Sequence, residues 1–369
     1  MGNWMEELWK QHACFITPIK INTDSEYRDA LDKVFLQLEK VLIDINADDF
    51  FIQETQKYRE NILFSIDKYY CGYISEAQAK IDQIINQFDG NNLAISSINN
   101  SISFGTNIYE QQVQFFRARC NEKIVDYSKK EMLHIPFSKR SKVKTERFSI
   151  PGLPCLYLGT TSYVCWLELG RPADHMFNVS PIILDNTQRI LNLAINLKDF
   201  CSSNKYSEGD QKTIFQLFLL SIATSFKVKE ENRTFKSEYI VSQLIMLACM
   251  RKGLSGVTYY SKQVDDDCFA HSVGVNLALF APYSCDKDLS EICNHVFISD
   301  SFNYSMFKQL SIPQTFKLAR LRVDQIGSIQ NIGNMERQYP YRETKFYRFD
   351  HYLYAYCPPK ELFNTDPDD

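Results

Sequence analysis

Five residues in the segment 115–171 have the side chains that a phosphorylated sugar substrate requires. The segment contains FFRARC and, after a basic linker, ERFSIPGLPCLYLGTTSYVCWLELGRP. Guanidinium forks bind phosphate oxygens bidentately, and a carboxylate stabilises positive charge that develops at a sugar carbon. A pyrophosphate-containing substrate attacked at a sugar carbon needs both kinds of group. The residues that supply them, with one aromatic, are Arg117, Arg119, Arg147, Tyr157 and Glu168.

The first two arginines are two positions apart in a run that reads as a strand. Side chains at i and i+2 of a strand point to the same face, so Arg117 and Arg119 can approach one phosphate pair together. Two ordinary charges on a solvated face are the alternative, and spacing alone favours that alternative. Phe115 and Phe116 precede the pair and predict that the strand is buried.

The third arginine precedes a turn, IPGLP, that leads into the apolar strand CLYLG. Arg147 is therefore either a second phosphate contact or one more loop cation beside the basic run 139–144. Such basic runs are usually solvated loops. Tyr157 lies inside the strand CLYLG, where core packing is the alternative to contact with a substrate.

Glu168 is the acid of the set and lies in SYVCWLEL. Helical spacing directs Tyr163, Val164 and Leu167 toward the core. A carboxylate with such neighbours is either half exposed or functional.

Three polar residues further along the chain are candidates of lower rank. Ser261 ends GVTYYS, where a strand meets a polar loop, although a serine there most often begins a turn. Gln243 lies in the preceding helix and Asn276 in the following strand, VNLALF. Each of the three is a candidate contact to the substrate.

The pattern of apolar residues divides the chain into a helical part and a part with both helices and strands. Helical spacing with capping residues predicts helices between residues 24 and 89, and again at about 211–226 and 237–251. Short apolar runs predict strands at 113–116, 155–158, 182–184, 190–193, 256–260 and 275–280. An alternating segment, 316–329, reads as an edge strand. The polar stretch 96–107 reads as a linker, which predicts an all-α N-terminal module, 1–105, followed by an α+β domain, 106–369.

Composition excludes several classes of function. Hydrophobic residues make up 44% and charged residues 23%, and the net charge of −4 gives no reason to expect nucleic-acid or membrane binding. The 11 cysteines contain no CxxC pair, which favours buried, reduced thiols and a cytoplasmic location. No GxxxxGK[ST], GxGxxG, GxSxG or HExxH occurs. We expect no metal and no bound cofactor, and we interpret the run Asp265–Asp267 as a solvated loop.

The ordered set of residues resembles the RES-domain family, whose name comes from its Arg, Glu and Ser. The resemblance covers roughly residues 113–280 and implies an ADP-ribosyltransferase-like mixed β core that splits NAD at the nicotinamide–ribose bond. It assigns phosphate contacts to Arg117 and Arg147, with Arg119 as a less certain neighbour, and the nicotinamide side to Tyr157. Glu168 becomes the catalytic acid residue, and Ser261 positions substrate. Here the linker before Arg147 is longer than in short members, and helices are inserted between residues 193 and 261.

The N-terminal helices resemble the HEPN-like extensions that precede some RES domains. Their one histidine is His12, ahead of Arg28, so the Arg-x4-6-His ribonuclease motif of such helices is missing. We therefore expect this module to sense, to dimerise or to regulate the catalytic domain, for example through an antitoxin or an activating partner.

Three hypotheses follow, in order of rank. The first is an NAD phosphorylase or NAD glycohydrolase, with inorganic phosphate or water as acceptor, acting as a toxin or antiviral defence effector. The second is an ADP-ribosyltransferase that modifies a macromolecule through the same pocket. The third is a catalytically silent interaction protein whose helical module binds a partner.

Overall fold

Two compact units make up the chain in a computed structural model. The described residues are 4–11, 15, 17–20, 26–104, 112–228, 233–263, 273–310, 328–330 and 338–362. Unit 1 is formed by residues 1–96, 144–150 and 191–262, and unit 2 by residues 97–143, 151–190 and 263–369. Each unit is therefore built from several separate segments of sequence.

The described helices and strands are numbered in chain order. The helices are α1 Trp4–Lys10, α2 Tyr27–Asp44, α3 Asp49–Tyr70, α4 Ile74–Asn86, α5 Ser162–Glu168, α6 Leu197–Cys201, α7 Glu208–Thr224, α8 Ile240–Arg251, α9 Tyr304–Gln309 and α10 Lys345–Tyr356. The strands are β1 Ile95–Ser97, β2 Gln114–Cys120, β3 Cys155–Gly159, β4 Phe177–Leu184, β5 Arg189–Asn192, β6 Gly256–Tyr260, β7 Val275–Phe280, β8 Val296–Ile298, β9 Phe302–Asn303, β10 Ser328–Gln330, β11 Gln338–Pro340 and β12 Lys360–Glu361.

Unit 1 is mainly helical, and the apolar faces of its helices differ in width. On α2 the residues Leu31, Phe35, Leu38 and Leu42 recur at helical spacing and are fully buried. Helices α7 and α8 are apolar around most of their circumference, and most of their residues are buried. They therefore form the centre of this unit, and the amphipathic helices form its outer layer.

Unit 2 is built on a six-stranded antiparallel order, β7-β3-β2-β4-β8-β12, with the short strand β9 also paired to β4. Alternation along β2 places Phe116 and Ala118 on one face and Arg117 and Arg119 on the other. The apolar face belongs to a buried cluster that includes side chains from α5, α9 and α10. Its aromatic members include Tyr163, Trp166, Tyr304, Phe346 and Phe349.

Helix α10 is attached to the sheet by a tyrosine hydroxyl. The Tyr354 Oη lies 2.7 Å from the carbonyl oxygens of both Phe115 and Ile182, and the backbone N–H of Ile182 donates to it at 3.2 Å. This one hydroxyl therefore serves backbone groups of two paired strands, β2 and β4. Burial raises the pKa of Tyr354 well above its usual value, so the hydroxyl keeps its proton as a donor.

The predicted α+β class is confirmed, together with a helical N-terminal region and helices inserted between β5 and β6. The predicted strand at 113–116 extends to Cys120, so both arginines lie inside β2. Helix α10 was not predicted, although Thr344 caps it and Phe346, Phe349 and Leu353 follow helical spacing. Residues 316–327 of the predicted edge strand, like the run Asp265–Asp267, lie outside the described residues.

The boundary at residues 105 and 106 stays a prediction, and so does the ADP-ribosyltransferase-like core. Within the predicted linker, residues 98–100 and 102–104 form short 3-10 turns with Ile98 and Phe104 buried. Residues 105–107 are outside the described part. Unit 1 ends within this stretch, at Ser96, and then resumes at residue 144.

We expect Tyr354→Phe to lower the free energy of unfolding by about 1–3 kcal/mol, because buried backbone groups lose a hydrogen-bond partner. Chemical denaturation followed by circular dichroism measures the change. Tyr356→Phe is the matched control, since this tyrosine of the same helix is 58% exposed and its change should stay within about 0.5 kcal/mol. Equal effects of the two substitutions would contradict the role given to the Tyr354 hydroxyl.

Candidate active site

The two arginines of β2 donate hydrogen bonds from their guanidinium groups to backbone carbonyls of unit 2. Arg117 donates from Nη1 to the Tyr157 carbonyl at 2.9 Å, and Arg119 donates from Nη2 to the Leu133 carbonyl at 3.1 Å. The Tyr127 ring centroid lies 5.9 Å from the Arg119 guanidinium carbon. Both side chains are half-buried, and both lie on the face of β2 opposite Phe116.

These guanidinium groups carry charge without a carboxylate partner. Within the described part of the chain, neither Arg117 nor Arg119 has an ion pair, and each Nε is buried with no hydrogen-bond partner. Burial, with a further contribution from the neighbouring Arg119 charge, lowers the pKa of Arg117 to about 10. Burial also lowers the pKa of Arg119. Both remain cationic at neutral pH, so the pair is a positive site that an anion would stabilise.

Tyr157 lies on β3 and is half-buried, and its backbone carbonyl is the acceptor for Arg117. Cys155, two residues earlier, points to the same face and donates from Sγ to the Leu279 carbonyl at 3.2 Å. Burial raises the pKa of the Cys155 thiol, so it is a packed, protonated group at neutral pH. The predicted burial of the thiols holds for Cys165 and Cys249, whereas Cys155 is of intermediate exposure, and all three are free cysteines.

Glu168 is the last residue of α5, and the start of this short helix is fixed by side chains. Thr161 caps it by accepting from the Val164 N–H at 3.1 Å and donating to the Val273 carbonyl at 2.9 Å. The carboxylate of Asp350, on α10, accepts from the Ser162 N–H at 3.0 Å. Its other oxygen accepts from the Tyr341 hydroxyl at 2.7 Å. The helix is therefore anchored at its first turn, and Glu168 lies exposed at its far end.

Gly159 makes the close approach of α5 to β3 possible. A Cβ atom at this position would lie 2.5 Å from Val164 Cγ1 and 2.8 Å from Cys165 Sγ. The thiol of Cys165 in turn donates to the Phe116 carbonyl at 3.3 Å. A side chain at position 159 therefore fits only if Val164 and Cys165, or the helix that carries them, shift.

The carboxylate of Glu168 has one hydrogen-bond partner in the described part of the chain. Asn276 donates from Nδ2 to Glu168 Oε1 at 2.6 Å. Asn276 is the second residue of β7, lies directly opposite Gly159 in the pairing of β3 with β7, and is 4% exposed. The structure thus brings together an acid and an amide that are 108 residues apart.

Arg147, predicted as a phosphate contact, is buried within unit 1. Its Nη1 donates to the Tyr260 carbonyl at 2.9 Å, and its Nη2 donates to the Ser225 hydroxyl at 3.4 Å. The guanidinium carbon also lies 4.5 Å from the Tyr259 ring centroid. The alternative of a solvated loop cation is therefore wrong for this arginine, which is 7% exposed.

The other two candidates of unit 1 are also buried. Gln243, on α8, donates from Nε2 to the carbonyls of Glu146 and Ser149, at 3.3 and 3.1 Å, and so supports the turn that carries Arg147. Ser261 directly follows β6 and is 3% exposed. Within unit 2, hydrogen bonds thus join Arg117 to Tyr157 and Asn276 to Glu168. Within unit 1, Gln243 supports the turn that carries Arg147.

Two residues that support the candidate site escaped the sequence reasoning. Asp350 and Tyr341 lie more than sixty residues after the segment 113–280 that carries the family resemblance, and no motif marks them. The available signal was the helical spacing, which places Asp350 on the same face as Phe346 and Leu353. An aspartate among apolar neighbours requires hydrogen-bond partners.

No cluster of three or more metal-ligating side chains occurs among the residues that the structure describes. The same residues contain no helix that is long and apolar enough to cross a membrane.

Comparison with known proteins gives a curated sequence relative in Bacillus subtilis. No protein-family model matches the chain. A protein of Bacillus subtilis (strain 168) described as "Putative toxin YopC" is 32% identical over an alignment of 226 residues, and the alignment covers 58% of this chain and 50% of that protein. The chain therefore spans about half the length of this curated relative.

Among solved structures, "Crystal structure of the M.tuberculosis MbcT-MbcA toxin-antitoxin complex" aligns with 62% of this chain and 96% of that chain. The sequence identity is 12% and the TM-score is 0.30. A similarity of this size is too low to support an argument about fold or function.

We expect Gly159→Ala to lower the free energy of unfolding by about 1–3 kcal/mol, because the added methyl group overpacks the contact between β3 and α5. Urea denaturation measures the change. Gly209→Ala is the control: the nearest atom to an added Cβ there is 4.0 Å away, and the residue lies in the first turn of α7. That change should be neutral or stabilising by up to about 1 kcal/mol. A neutral Gly159→Ala would show that α5 is not closely packed on the strand.

Proposed function

We propose that this chain is an NAD-consuming enzyme that breaks the nicotinamide–ribose bond, with inorganic phosphate or water as acceptor. Unit 2 supplies the residues on which the proposal rests: Arg117 and Arg119 for the phosphates, Tyr157 for the nicotinamide side, and Glu168 for the ribose. NAD is the substrate and no bound cofactor takes part.

The positive charge on β2, held by two half-buried arginines whose Nε atoms are buried, carries this proposal. Arginines are seldom buried without an acidic partner, because the loss of hydration must be offset. Arg117 and Arg119 share one face of a strand and have no carboxylate partner within the described residues. A pyrophosphate would supply the missing negative charge and would accept from donors such as the two unpartnered Nε–H groups. The site therefore favours a dianionic, phosphorylated substrate over a neutral one.

Glu168 supplies a carboxylate for the ribose, where positive charge develops as nicotinamide leaves. In NAD the nicotinamide nitrogen is cationic, so heterolysis of its bond to the ribose carbon releases neutral nicotinamide with the bonding electron pair. Positive charge then develops on the ribose, and a carboxylate nearby stabilises it. Glu168 is exposed at the end of an anchored helix and is held by Asn276, which suits it to this role.

The acceptor completes the reaction. Water adds its oxygen to the ribose carbon and releases one proton, which gives ADP-ribose. Inorganic phosphate adds through an oxygen instead, which gives the 1″-phosphate of ADP-ribose. The product mass therefore distinguishes the two acceptors, whereas an ADP-ribosyltransferase would leave the label of NAD on a macromolecule.

The YopC relative supports a toxin role for the chain. YopC carries the description "Putative toxin", and the shared region covers more than half of this chain. Depletion of NAD would explain toxicity, since a cell loses the substrate of many reactions at once. We propose that an antitoxin or another partner acts through the N-terminal helices, and that unit 1 residues Arg147 and Ser261 also serve substrate binding or its regulation.

The decisive experiment is incubation of the purified full chain with NAD, with and without inorganic phosphate, with products read by mass spectrometry. Nicotinamide release is expected from the wild type, and Glu168→Ala should lower kcat by about 10²–10³-fold through loss of charge stabilisation. Glu291→Ala is the control, since this glutamate of unit 2 is exposed and paired with Lys287. Full activity of Glu168→Ala would remove the mechanism.

A second prediction concerns the buried arginines. ADP-ribose or inorganic pyrophosphate should raise the melting temperature of the wild type, because a ligand that binds the folded state stabilises it. We expect Arg117→Met to abolish this rise, with Arg140→Met as the control because Arg140 is an exposed cation outside β2. Differential scanning fluorimetry measures both. An unchanged rise in Arg117→Met would place the anion elsewhere.

A further inference from the structure

Within the described part of the chain, the side chain of Asn276 forms one hydrogen bond, and its partner is Glu168. The amide Nδ2 donates to Oε1 at 2.6 Å, and this is a charge-assisted bond, which is shorter and stronger than a bond between neutral groups. Asn276 is 4% exposed, whereas Glu168 is exposed. The donor is therefore a fixed, buried group, and the acceptor is a side chain that would otherwise be free to change its rotamer.

Glu168 needs such a partner because its own helix does not stabilise it. As the last residue of α5, it lies beside carbonyl oxygens that carry partial negative charge, which disfavours a carboxylate there. Within the described part of the chain it also has no ion pair with lysine or arginine. The amide of Asn276 therefore supplies the positive hydrogen-bonding group that holds the carboxylate.

The strand register explains how the contact arises. Asn276 is opposite Gly159, and α5 begins three residues after that glycine and runs closely over it. The side chain of Asn276 thus reaches the far end of the helix that Gly159 allows to approach. Since only Oε1 accepts from Asn276, Oε2 of Glu168 is available to a second donor such as a ribose hydroxyl.

We propose that Asn276 is a positioning residue that fixes the rotamer of Glu168 and directs Oε2 toward the substrate, without contacting the substrate itself. This inference rests on the proposed NAD cleavage, and it differs from the sequence prediction of a direct substrate contact. A misplacement of a catalytic group by about 1 Å can lower the rate about 100-fold.

Three variants of the full chain separate positioning from substrate contact and from packing. We expect Asn276→Ala to lower kcat by about 10–100-fold with little change in KM. Asn276→Asp keeps the size of the side chain but replaces the donor by a second carboxylate, so kcat should fall further than in the alanine variant. The control is Asn178→Ala, another fully buried asparagine on a strand of unit 2, which bonds to the Met176 carbonyl and to Asn303.

A rise in KM with unchanged kcat would instead make Asn276 a substrate contact and overturn the proposal. So would an Asn276→Asp variant more active than Asn276→Ala, because that result would mean that side-chain size alone matters. An equal loss of kcat in Asn178→Ala would show that any buried asparagine of this unit has the same effect.

A readout that needs no activity tests the contact itself. In protein labelled with ¹⁵N-asparagine, the side-chain amide of Asn276 is assigned by its disappearance in Asn276→Ala. We expect its proton resonance to move and its exchange with solvent to accelerate in Glu168→Ala. An unchanged resonance would overturn the inference. If the resonance changes but the wild type does not cleave NAD, the proposed function fails and the Asn276–Glu168 contact stands.

Discussion

Alternation of side chains along one strand is the constraint on which unit 2 depends. Successive residues of β2 point to opposite faces, so Phe116 and Ala118 enter the aromatic cluster beneath α5 and α10. The same alternation directs Arg117 and Arg119 to the other face. A shift of one residue in the pairing of β2 with β4 would exchange the two sets and would bury both charges in an apolar core. The register that forms the core is therefore also the register that forms the cationic site.

Local patterns predicted what depends on local sequence. Period-two spacing placed both arginines on one face, and helical spacing placed the apolar side of α5 toward the core, with Tyr163 and Val164 buried. The strands at 155–159, 256–260 and 275–280 were predicted to within a residue. These successes share a cause: each element has a strong apolar pattern, which tertiary contacts reinforce and do not override.

The remaining features depend on contacts between distant parts of the chain, which no local pattern contains. The bond from Asn276 to Glu168 requires both the register of β3 with β7 and the packing of α5 over Gly159. The sequence left open whether Arg147 was one more cation of a basic loop. In the structure its turn is held by Gln243 and its guanidinium is buried. Charge content alone could not separate it from the exposed arginine at position 140. Burial of a cation becomes visible only when its partners are known.

The anchoring of α5 by Asp350 has a consequence for the order in which the protein is made. The acid lies 188 residues after Ser162, to which it bonds. Chains are synthesised from the N-terminus, and early segments fold before later ones leave the ribosome. Until α10 emerges, the helix that carries Glu168 lacks both its anchor and the aromatic cover of its apolar face. A growing chain thus holds Glu168 on a helix whose first turn is not yet anchored until α10 has left the ribosome.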